Sequence, residues 1–71
     1  MKLPRDISGG DAVKAFKRLG FEVTRQEGSH IRMAKGARRV TMANHKNILP
    51  KTLQSMLRQA GVSVEEFVEA L

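Results

Sequence analysis

Cysteine is absent from these 71 residues, which removes disulfides, thiolate nucleophiles and zinc-finger spacing together. Tryptophan and tyrosine are absent too, and Phe16, Phe21 and Phe67 are the only aromatics. Reading of unpaired bases by ring stacking therefore has little to work with. No segment approaches the roughly 18 apolar residues of a membrane span, and the N-terminus shows no signal-peptide apolar core. Acid is missing locally: from Gly28 to Val64 there is no Asp or Glu. The length predicts one small domain over 1–71, burying about 60% of its unfolded surface. Any site should then be shallow and near the surface. The composition fits a reducing cytoplasm.

What is there instead is positive charge. Thirteen Lys and Arg against seven Asp and Glu give a formal net charge of +6 and a pI near 10.6. The acid-free stretch carries Arg32, Lys35, Arg38, Arg39, Lys46, Lys51 and Arg58, with both histidines, His30 and His45. That balance favours an anionic partner, recognised through phosphate contacts and shape. A plain solvated face is the competing account of the same charges.

Local patterns predict the elements. Ser8 and Asp11 make an N-terminal capping box for a helix with Ala12, Val13, Ala15, Phe16 and Leu19 on its apolar stripe. Gly20 ends it, with Phe21 folding back on Phe16, while Gly9 and Gly10 make its start the soft end. The period then switches to two. Phe21 and Val23 are expected on one face, and Glu22, Thr24 and Gln26 on the other. Gly28-Ser29 and Lys35-Gly36 are turns between short strands that put Ile31, Met33, Val40 and Met42 inward. His30, Arg32, Arg39 and Thr41 then face outward. Asn44 to Leu49 reads as a loop, and Pro50 as the first residue of a second helix burying Leu53, Met56, Leu57 and Ala60, with Leu49 just before this stripe. Gly61 closes that helix. Ser63 and Glu66 cap a short third one, in which Phe67, Val68 and Leu71 seal the core edge. The expected fold class is α+β: a three-stranded antiparallel sheet with helices on one face.

The chemistry follows from which side chains are available. Metal-dependent nucleases need clustered carboxylates, and no acidic pair lies beside a histidine in the sequence, so neither metal nor cofactor is expected. RNA carries its own nucleophile, the 2′-hydroxyl. Neutral imidazole is suited to removing its proton, and nearby cations to stabilising the crowded phosphorane. His30 is the candidate base. Gly28 allows close backbone approach to a phosphate and Ser29 can hydrogen-bond to it, with Arg32, Lys35, Arg38, Arg39, His45 and Lys46 as further RNA contacts. An exposed strand-end histidine with no special task remains the alternative for His30, and a local backbone cap for His45.

Leu19-Gly20-Phe21, Arg25-Gln26-Glu27-Gly28-Ser29-His30, His45, Thr52-Leu53 and Arg58-Gln59-Ala60-Gly61-Val62-Ser63 together resemble the HicA (YcfA-like) toxins, from about Ser8 to the C-terminus. The resemblance implies a double-stranded-RNA-binding-domain-like fold. It also implies a ribosome-independent mRNA interferase of a type II toxin–antitoxin system. The family's catalytic histidine falls on His30. A HicB antitoxin would mask the site and join the toxin in an oligomeric complex. Two positions depart from the pattern. Ala43 stands where many relatives have Pro, which bears on the His45 loop, and Lys51 where many have Gly. The alternative function is a non-catalytic RNA-binding module of the same fold; a face that serves only to bind protein is a third.

Overall fold

The computed structural model describes residues 3–71; Met1 and Lys2 of the lead-in lie outside the described residues. The order is α1 (Gly9–Arg18), β1 (Glu22–Glu27), β2 (His30–Lys35), β3 (Arg38–Ala43), α2 (Pro50–Ala60) and α3 (Val64–Ala70). The strands form one antiparallel sheet in the order β1-β2-β3. This is the expected α+β architecture.

The helix boundaries form as their local chemistry dictates. Ser8 and Ser63 each accept from the backbone N–H three residues on, and Asp11 and Glu66 each return a bond to the cap N–H. Both larger helices end in Schellman geometry. Phe21 N–H donates to Phe16 O and Gly20 N–H to Lys17 O, at 2.9 and 3.0 Å; Val62 N–H donates to Leu57 O and Gly61 N–H to Arg58 O, at 3.0 and 3.3 Å. Gly20 and Gly61 hold the left-handed φ values this requires, 98° and 69°.

The core is made by Phe16, Phe21, Met33, Val40, Leu53 and Phe67, all essentially sealed. Phe16 is its hub, edge-on to Phe21 at 5.2 Å and tilted against Phe67 at 5.6 Å. Helix α2 packs on β3, and α1 packs on α3. Ile7 and Ile48 form an isolated bridge that ties the lead-in to the segment before α2, so Asn44–Leu49 is less free than a plain loop. Leu71, expected to seal the core edge, is 40% exposed, and Leu49, just before the α2 stripe, is 67% exposed. Each lies just outside a helix, where the apolar stripe no longer faces the core.

Gly9 has a role its helix propensity conceals. A Cβ there would lie 2.6 Å from Asn44 Cα, and its N–H donates to His45 O at 2.7 Å. The start of α1 is therefore clamped against the chain leaving β3.

Strand β1 departs from simple alternation. The two-residue turn pairs Glu27 with His30, while Val23 pairs with Met33 on the helix side; the register shifts between Val23 and Arg25 to satisfy both. Thr24 is the extra residue, a β-bulge. Beyond it Arg25 lies opposite Arg32, and Gln26 opposite Ile31. Arg25 and Glu27, not Gln26, thus share the outer face with His30. Val23 keeps its inward register yet is 40% exposed, at the edge of the sheet.

Candidate functional site

The outer face of the sheet is a grid of paired residues. Its first row is Glu27–His30–Ala43, its second Arg25–Arg32–Thr41 and its third Glu22–Ala34–Arg39. His30 heads β2 because Gly28, with φ 57° and open space where a Cβ would be, turns the chain in two residues. Ser29 extends the ladder by accepting from Asn44 N–H at 2.6 Å. Ala43 lies directly across from His30. That position therefore bears on the histidine itself and not only on the His45 loop.

His30, Arg25, Arg32, Glu27 and Thr41 line one open cleft of about 260 Å³. Arg25 and Arg32 are like charges directly opposed, an arrangement that costs stability in a sheet. Arg25 Nε is ion-paired to Glu27 Oε1, which offsets part of that cost and leaves the rest of the guanidinium free. All five side chains are exposed. Sequence reading missed Arg25 and Glu27. A two-residue turn at Gly28-Ser29 already implies that residues 27 and 30 close the hairpin, and that signal would have found Glu27.

The other expected contacts divide. Arg39 is on the outer face with Arg32. Lys35 and Arg38 are cross-strand partners on the helix side, where Lys35 Nζ donates to Leu19 O at 2.8 Å and Arg38 Nη1 to Gly61 O at 3.4 Å. Arg18 Nη1 does the same to Ala70 O at 2.8 Å. The C-terminal end of each helix thus receives a cation from another part of the chain, matching the negative pole of its dipole. His45 lines another cleft with Ala43, Ile48, Leu49, Thr52 and Met56, and Ala43 is the residue directly across from His30. Lys46 is exposed beside His45.

Among the described residues no three of His, Cys, Asp and Glu converge on a point that could hold a metal ion. No helix among them is long and apolar enough to cross a membrane.

A family model described as the HicA toxin of bacterial toxin-antitoxin matches residues 9–62. The chain belongs to the HicA toxin family. The match begins at the clamped Gly9 and ends at Val62, whose N–H closes the Schellman turn of α2. For a HicA toxin the pairing with an antitoxin is a property of the system to which the family belongs. Helix α3 lies beyond the matched residues. A search of curated proteins gave no match.

Proposed function

We propose that this HicA-family chain is an endoribonuclease that cuts mRNA without ribosome or metal, using His30 as its proton-transfer group. The observation that carries the reading is an exposed imidazole at the head of β2, in one cleft with two opposed guanidiniums. A ring nitrogen of His30 takes the proton of a ribose 2′-hydroxyl, and the 2′-oxygen attacks the adjacent phosphorus. The 5′-oxygen leaves and takes its proton from water. The products are a 2′,3′-cyclic phosphate and a 5′-hydroxyl. Arg25 and Arg32 neutralise the charge gathering on the phosphorane. The carboxylate of Glu27, opposite His30, is the acceptor at hand for the other ring N–H.

A HicB-like antitoxin would act by covering this face and joining the toxin in a larger complex. The charge there suits an acidic inhibitor as well as RNA.

The test is cleavage of a defined transcript by purified chain, wild type beside His30→Ala. General acid–base catalysis contributes about 10²–10⁴-fold, so His30→Ala should lose at least a hundredfold while RNA binding persists. Cleavage should survive chelator and leave cyclic ends. Cutting of an all-deoxy chain, or equal cutting by His30→Ala, would refute the mechanism. Binding without any cleavage by the wild type would make the chain an RNA-binding module instead.

A further inference from the structure

Next to the histidine cleft lies a larger one, about 520 Å³, running over the second and third rows of the same face. Thr24, Arg25, Arg32, Arg39 and Thr41 line it, and all are exposed. Its floor is low because Ala34 is small and Gly36 has no side chain. Three guanidiniums and two hydroxyls thus surround a depression with no carboxylate in its lining. Glu22 shares the third row at the far edge of the sheet, but does not line the cleft. Among the described residues neither Arg32 nor Arg39 has an ion-pair partner, and Arg25 has only Glu27. Among the described residues no other ion pair uses these charges. Lys35 and Arg38 make the contrast, since both are occupied by helix ends.

The two clefts share Arg25, Arg32 and Thr41. Two residues along a strand advance about 6.8 Å, so the third row lies one such step past the second and two past His30. We infer that this second cleft is a phosphodiester subsite. It would hold the backbone phosphate next to the one being cleaved, through Arg39 and the free guanidinium nitrogens of Arg25 and Arg32, with the Thr41 hydroxyl adding a further hydrogen bond. The bulge at Thr24 contributes by placing Arg25 at its rim, while the Thr24 hydroxyl itself donates to Arg32 O at 3.3 Å. The inference rests on the ribonuclease reading for its substrate. Its consequence is a minimum substrate length: a dinucleotide, with one phosphodiester, fills the histidine cleft and leaves the subsite empty.

The experiment compares kcat/KM for a ribodinucleotide with that for chains carrying one or two more phosphodiesters on either side, using wild type, Arg39→Gln and Arg25→Gln. The wild type should gain at least tenfold from lengthening on one side only, and the long-to-short ratio should collapse toward one in Arg39→Gln. Binding of an all-deoxy hexanucleotide gives an independent reading. Its log–log salt slope should shrink by about 0.7 for each phosphate contact removed. A wild type indifferent to length, or a gain that survives both substitutions, would overturn the subsite. If the wild type cuts nothing while the salt slopes shrink as expected, the subsite stands and the ribonuclease reading falls.

Discussion

Glu27 and His30 are the closing pair of the β1–β2 hairpin, and their side chains emerge into the same cleft. In the proposed mechanism the Glu27 carboxylate accepts from the ring N–H that does not face substrate, a bond strengthened by its negative charge. Glu27→Gln keeps an acceptor and loses that charge. A charge-assisted hydrogen bond exceeds a neutral one by about 1 kcal/mol, so cleavage should slow roughly fivefold to tenfold, with KM little changed. Faster turnover in Glu27→Gln would show instead that the carboxylate merely repels substrate.

Gly9 and Gly10 are neighbours in α1 with opposite expected responses to alanine. At Gly9 the new Cβ meets Asn44 backbone, and overpacking of this kind costs about 1–3 kcal/mol. At Gly10 the nearest atom is Ser8 Oγ at 3.7 Å, so the helix-propensity gain of up to about 1 kcal/mol is free to appear. Thermal melts should therefore move in opposite directions for the two variants.

Lys35→Met should lower the melting temperature by removing the cation from the end of α1, a loss of about 0.3–1 kcal/mol. Arg39→Gln, which removes a charge from the outer face and breaks no ion pair or side-chain hydrogen bond among the described residues, should instead weaken RNA binding with little thermal effect. The two measurements on two variants separate folding charge from ligand charge. Equal losses of RNA affinity would put Lys35 back among the phosphate contacts.

Acid should loosen both capping boxes. Hydrogen bonds from the Ser8 backbone and side chain hold the Asp11 carboxyl below its ordinary range, and Ser63 does the same for Glu66. A carboxyl with a lowered folded-state pKa stabilises the fold above its unfolded value and loses that contribution as pH falls through the folded one. Stability should thus be level near neutrality and decline below the ordinary carboxylate range. Melting temperatures across an acid series should flatten in an Asp11→Asn, Glu66→Gln double variant.

The sequence disclosed those features whose cause lies within about five residues. Ser8 with Asp11, Ser63 with Glu66, Pro50, and the glycines at 20 and 61 each mark a helix end through contacts along the chain. His30 was legible as outward-facing because Ile31 and Met33 had to be inward. Gly9 misled because its reason is Asn44, distant in sequence and touching in space. Gln26 was misplaced and Arg25 missed because strict alternation from Val23 cannot foresee an inserted residue. Lys35 and Arg38 counted toward the basic stretch like any other cation, and only the packed helices reveal that their charge is already engaged.

The cations at the three helix ends have a practical outcome for measurements in salt. Ionic strength weakens the grip on RNA, and it also screens the contacts of Arg18, Lys35 and Arg38 that hold hairpin and helices together. Titrating the ligand away with salt therefore softens the receptor at the same time. A binding curve at high salt is interpretable only beside a melt taken in the same buffer.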